Sequence, residues 1–204
     1  MTENIVVKIG GATLFGESTF VESMRAMLQN ATRQRLFVLL GGGETVESMR
    51  ALHARYPQLD TESMHWRCVR LLDATWEIGC ELFPELTPIA TRAQLQQAKD
   101  GTMQETFLVR PAAFYSPESL ADIPEPWRPA HDWNTTTDTI SWLLAKWIKA
   151  SELKIVKCCL VDSSTSLLTA ARSGIIDPEL ARLALADQAP DRPAVRLLAV
   201  KIGE

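Results

Sequence analysis

The chain has 204 residues, 46% of them hydrophobic and 23% charged, and a formal net charge of −4 from 21 Lys+Arg against 25 Asp+Glu. That length suits one domain with a sizeable core, spanning residues 1–204. The acidic balance offers no broad attraction for nucleic acid or an anionic membrane, but it leaves room for a local basic pocket for a phosphorylated small molecule. Cys68, Cys80, Cys158 and Cys159 match neither a zinc knuckle nor a CxxC pair. The adjacent Cys158 and Cys159 lie in an apolar run and read as packing residues of a reducing compartment. No signal-peptide core opens the chain, and no apolar run reaches the roughly 18 residues of a span. A cytoplasmic protein is expected.

In chain order, NIVVKI (4–9) reads as a strand that is apolar except for Lys8, as suits a parallel sheet covered on both faces. After GGATLFG, the stretch STFVESMRAMLQNATRQ is helical, with Ser18 or Thr19 as cap and Val21, Met24, Met27 and Leu28 on its apolar face. RLFVLLGGGE gives a second strand ending in three glycines, and ETVESMRALHARYP a helix that stops before Pro57. Residues 61–80 form a long helix with an apolar stripe of Met64, Cys68, Leu71, Leu72 and Trp76. TPIATRAQLQQAKDGTM gives a short strand, a helix and a turn, and TFLVRPAAFY a strand interrupted by Pro111. The proline-rich SPESLADIPEPWRPAHDW crosses the surface without long regular structure. A polar cluster then leads into the helix of HDWNTTTDTISWLLAKW, a strand follows at about 154–161, and a last strand at 194–200. Strands alternating with helices predict an α/β fold, a three-layer αβα sandwich around a largely parallel sheet.

In such sheets the binding crevice lies beyond the C-terminal strand ends, where both glycine clusters fall. Neither GxxxxGK[ST] nor GxGxxG occurs. Gly10-Gly11 and Gly41-Gly42-Gly43 therefore serve either close approach to an anion or tight turns. An ammonium on a covered strand needs a carboxylate, a phosphate or an exit to solvent, so Lys8 faces either a pocket or the surface. Thr135, Thr136 or Thr137 caps the helix that follows, and Asp138 in its first turn suits the helix dipole. Asp138 can also orient lysines while neighbouring hydroxyls and amides hold a phosphate. Lys154 and Lys157 have opposite parity, and Lys157, deeper in the apolar run, is the better pocket candidate. Asp162 ends that run, where a carboxylate can meet a metal or a loop amide. His53, His65 and His131 show no metal-triad spacing. His65 is either structural or part of an acceptor pocket, and Trp133 either recognises a substrate ring or packs the start of its helix.

VVKIGGATLFG, FVLLGGGETVES, DWNTTTDTISWLLAKW and KIVKCCLVD, in this order, resemble the amino acid kinase family. SGIIDPELARLA and AVRLLAVKIGE extend the likeness to the C-terminal part. Within that family, DTESMHW, DWNTTTDTISWLLA and IIDP are most similar to the small branch linked to methanofuran biosynthesis, whose kinase acts on (5-aminomethylfuran-3-yl)methyl phosphate. The resemblance implies phosphoryl transfer from ATP, with Mg2+, to an anionic acceptor, in a homodimer or larger homo-oligomer. It implies that Lys8 contacts the transferring phosphoryl group, Gly10 and Gly11 line its path, and Gly41, Gly42 and Gly43 hold the acceptor. Asp138 would orient the catalytic lysines, and Lys157, with Asp162, would serve the nucleotide. The acceptor pocket would include His65, Trp133, Thr136 and Thr137. Where the family has an acidic turn followed by glycine and tyrosine, this chain reads KCCLVDSS, and its TTD stands where TSD is usual. A non-catalytic nucleotide- or phosphate-binding assembly protein of the same fold, or a kinase for another carboxylate or phosphate, is the alternative.

Overall fold

The structure, a computed structural model, describes residues 3–14, 19–29, 34–101, 105–159, 162 and 165–199. Among these residues, six strands form one sheet: β1 (Glu3–Ile9), β2 (Gln34–Leu40), β3 (Thr87–Ile89), β4 (Thr106–Val109), β5 (Glu152–Lys157) and β6 (Ala194–Ala199). Their order is β3-β4-β2-β1-β5-β6, and every pairing is parallel. Helices cover both faces, giving the expected αβα sandwich: α1 (Gly11–Leu14), α2 (Thr19–Gln29), α3 (Gly43–Arg55), α4 (Thr61–Leu82), α5 (Arg92–Asp100), α6 (Thr137–Trp147), α7 (Leu167–Arg172) and α8 (Pro178–Ala186).

Strand alternation divides the core in two. Val6, Phe37, Leu39, Leu153 and Ile155 meet Trp142 and Leu144 of α6, Ile148 just past its end, and Leu180 and Leu183 of α8 on one face. Ile5, Val7, Ile9, Leu36, Val38 and Leu40 meet Met24 and Leu28 of α2 on the other. Each such side chain contributes roughly 1.5–3 kcal/mol by leaving water. The α4 helix serves both clusters, with Trp66, Val69 and Leu72 in the first and Trp76 and Cys80 against the second. Asp60 caps it by accepting from Ser63 N at 2.8 Å. Between β4 and α6 the chain makes three 3-10 turns, Pro111–Ala113, Pro117–Asp122 and Glu125–Trp127, in keeping with its prolines.

Local boundaries differ from the sequence expectation in instructive ways. The third glycine of the second cluster is itself the first residue of α3. Ser18, a candidate cap for α2, lies outside the described residues, and α2 starts at Thr19. β5 begins two residues early and ends at Lys157, because its ladder to β1 stops at Ile9↔Val156 where β1 turns into Gly10. Cys158 and Cys159 are consequently exposed beyond the strand and are not packing residues.

Candidate active site

Lys8 has the parity of Val6 and so points at the α6 face, and Lys157 has the parity of Ile155 and points the same way. Asp138, in the first turn of α6, meets both. Its Oδ1 lies 2.7 Å from Lys8 Nζ and its Oδ2 accepts from Lys157 Nζ at 2.8 Å. The Lys8 and Asp138 side chains are 5% and 2% exposed, while Lys157 keeps 19%. Burial pushes the Lys8 ammonium below the usual lysine range against the pull of Asp138, and Lys157 adds to the lowering. Burial also opposes the charge on Asp138, but the two lysines outweigh it and hold the carboxyl below the usual range. Two cations around one carboxylate leave a net positive centre, the charge an anion needs.

The glycines build the floor. Gly10 donates to Val156 O at 3.2 Å and Gly41 to Ile9 O at 2.9 Å, so both loops hang directly from the strand ends. A Cβ on Gly11 would fall 1.9 Å from Gly43 N and 2.7 Å from Gly41 O. Gly43 has φ 54°, a left-handed angle that suits glycine. The two clusters thus interlock backbone to backbone while also lining a cavity of about 540 Å³.

That cavity brings together Lys8, Gly10, Gly11, Gly41, Gly42, Gly43, His65, Trp133, Thr136, Thr137, Asp138 and Lys157. Asp162 is exposed and is not among its lining residues. The threonines divide their work. Thr136 is the cap of α6, accepting from Asp138 N at 3.2 Å, and its own N–H and hydroxyl donate to Asp177 Oδ2. Its donors are therefore engaged within the protein. Thr137 Oγ1 instead faces Gly41, 3.1 Å from where a Cβ would stand.

The wall between α3 and α4 mixes rings with aliphatic groups: Val46, His65, Val69, Leu72 and Trp133. Trp133 Nε1 donates to His53 Nδ1 at 2.8 Å, and the Arg50 guanidinium lies 4.6 Å from the Trp133 ring centre. That bond makes Nδ1 of His53 an acceptor, leaving Nε2–H to donate to Leu59 O at 3.0 Å. His65 Nε2 lies 3.0 Å from Tyr115 Oη, and its ring packs against Trp66 and His131 with centres 5.0 and 5.4 Å apart. Burial, then the neighbouring His131, lowers its pKa to about 4.

Asp177 and Arg50 also line the cavity and were not singled out from sequence. Asp before Pro at a helix start signals a cap. That signal reveals the cap of α8 but not the reach of the same carboxylate to Thr136 and Thr139 of α6.

A six-stranded parallel sheet with this order, and a site at the C-terminal ends of β1, β2 and β5, is the amino acid kinase fold. Among solved structures, the uridylate kinase of Archaeoglobus fulgidus matches with a TM-score of 0.59 at 15% identity, over 97% of this chain and 91% of that one. The UMP kinase of Bacillus anthracis matches at 0.61 and 11%, over 97% and 87%. The aspartate kinase of Synechocystis matches at 0.58 and 14%, over 97% of this chain and 40% of that one. Neither a family model nor a curated protein matches the sequence.

Proposed function

We propose that the chain is an ATP-dependent phosphotransferase that acts on an anionic small molecule. The observation that carries this reading is the buried Lys8–Asp138–Lys157 cluster, a net cation opening onto a glycine-floored cavity. Phosphoryl transfer asks a protein mainly for alignment and for neutralisation of developing charge. An acceptor phosphate or carboxylate oxygen is already a nucleophile near neutral pH. It attacks the γ-phosphorus, the bond to the β–γ bridging oxygen breaks, and ADP leaves with that electron pair. No general base is required, in keeping with a site whose histidine, His65, has its Nε2 engaged by the Tyr115 hydroxyl. Lys8 would stabilise the transferring group, Lys157 the nucleotide phosphates, and Asp138 would hold both ammonium groups. Thr137 and the loop amides of Gly11, Gly42 and Gly43 would donate to phosphate oxygens, since those of Gly10 and Gly41 are held by Val156 O and Ile9 O.

Mg2+ would arrive with ATP, held by its phosphates, and would offset their charge. No three His, Cys, Asp or Glu side chains converge on one point among the described residues. For the acceptor, His65 and Trp133 beside Val46, Val69 and Leu72 in the cavity lining support a small flat body such as (5-aminomethylfuran-3-yl)methyl phosphate. UMP and aspartate, named for the proteins of similar fold, are the competing acceptors. The position of Asp162 away from the cavity favours a second reading, a phosphate-binding protein without turnover.

The test is ADP release with Mg-ATP and a panel of aminomethylfuran methyl phosphate, UMP, aspartate, acetylglutamate and isopentenyl phosphate, with Lys8→Ala as control. Release that depends on Lys8 and on one acceptor supports the kinase. Nucleotide binding with no release across the panel supports the second reading.

A further inference from the structure

Asp177 is 6% exposed, and no cation is among its hydrogen-bond partners within the described residues. Its Oδ1 accepts from Leu180 N at 2.6 Å and Thr139 Oγ1 at 2.6 Å. Its Oδ2 accepts from Thr136 N at 2.8 Å, Thr136 Oγ1 at 2.7 Å and Thr139 N at 3.1 Å. A single carboxylate therefore receives donors from the first turns of two helices, whereas an ordinary cap serves one. The residues it grips on α6 stand immediately around Asp138, two before it and one after. The Thr136 hydroxyl relays the hold by accepting from the Asp138 amide.

We propose that Asp177 is a positioning residue for the phosphoryl-transfer site, fixing the first turn of α6 so that Asp138 holds Lys8 and Lys157 at the head of the cavity. The proposal rests on the kinase reading for its catalytic consequence, but the tether itself has an independent readout. Burial and the nearby Asp138 both raise the Asp177 carboxyl, and the bonds from the Thr139 hydroxyl, the Leu180 amide and the Thr136 hydroxyl work against that rise. The tether is thus held by hydrogen-bond geometry, which an amide of the same shape cannot reproduce, because one of its two atoms must donate.

The experiment compares wild type with Asp177→Asn, Asp177→Ser and Thr139→Val. Asp177→Ser keeps a short cap for α8, and Thr139→Val removes one donor while leaving the carboxylate in place. Ser166→Ala removes the α7 cap, which accepts from Thr169 N at 3.1 Å and has no hydrogen bond to Asp177 or α6 among the described residues, and controls for loss of a cap alone. Three quantities are read: kcat and KM, exchange of the α6 amides, and calorimetric binding of tripolyphosphate. Displacement of reacting groups by about 1 Å can slow turnover by about 10²-fold. A kcat loss approaching that size in Asp177→Asn, with nucleotide KM far less affected, supports the proposal when α6 exchange is faster and Ser166→Ala turns over normally. Loss of melting temperature with kcat retained overturns it. If wild type phosphorylates no acceptor, the kinase reading fails. The tether is then decided by the other two arms: faster exchange confined to α6 with weaker tripolyphosphate binding supports it, and unchanged exchange or binding overturns it.

Discussion

Lys8 and Asp138 form an ion pair at 2.7 Å with neither side chain more than 5% exposed. Removing two charges from water costs several kcal/mol per ion, so a buried pair is weak evidence of stabilisation. What the pair does is hold an ammonium at the floor of an open cavity, between two glycine loops. Lys8→Ala is expected to slow turnover by roughly 10²-fold or more, the loss seen when a preorganised transition-state donor is removed. Steady-state kinetics with the preferred acceptor measure it, and unchanged kcat sinks the assignment.

Asp138→Asn leaves two ammonium groups around a neutral amide, one of them deeply buried. Breaking such a cluster from one side is expected to destabilise the fold by about 3–5 kcal/mol. Urea denaturation at neutral pH gives the number. A loss below about 1 kcal/mol would mean that Lys8 finds solvent or sheds its proton at little expense.

Acid stability should carry the signature of His65. Its folded pKa is about 4, below the ordinary 6.5, because burial disfavours the cation. Between those values the unfolded chain holds the proton more tightly, so stability falls as pH drops from about 6.5 toward 4 and this contribution is flat below that. The full effect is on the order of 3 kcal/mol. His65→Gln should flatten that part of the stability-against-pH curve, and an unchanged slope contradicts the buried, neutral ring.

Two glycine-to-alanine substitutions separate crowding from backbone angle. At Gly174, φ is 69° and nothing lies within 4 Å of an added Cβ, so Gly174→Ala should lose only about 1–2 kcal/mol. At Gly11 the methyl would meet Gly43 N at 1.9 Å, and one loop must move. Gly11→Ala should therefore lose more stability and weaken tripolyphosphate binding, both readable by melting and calorimetry.

Thiol alkylation of the native protein tests the end of β5. Cys158 and Cys159 are exposed and should label promptly, whereas Cys68, buried in α4, should label only on unfolding. Peptide mapping after brief iodoacetamide treatment distinguishes them. Protection of Cys158 and Cys159 would restore the packing role that their apolar neighbours suggest.

The alternation of apolar strands with helices was enough to define the sandwich, because a parallel sheet covered on both faces leaves continuous apolar runs in β1, β2 and β5. Lys8 was legible for the opposite reason, as a charge where such a run admits none. Asp138 could be read as a helix-start residue, yet its two lysine partners lie 130 and 19 positions away, and no local pattern encodes distances of that kind. The exposed cysteines were misread because KIVKCCLV is uniformly apolar after its lysines, while the strand's length is set by where β1 turns away at Gly10. Asp177 showed only its cap, since its other four hydrogen bonds cross to α6.

The chain contains three histidines, and all three gather at one short segment beside the cavity. His53 receives the Trp133 indole, and His131, within that segment, packs on His65 with ring centres 5.4 Å apart. A sample isotopically labelled in histidine alone would therefore have every ring signal located at this wall. The protein carries its own spectroscopic reporter for ligand arrival, one that requires neither an attached dye nor any change to Lys8, Asp138 or Lys157.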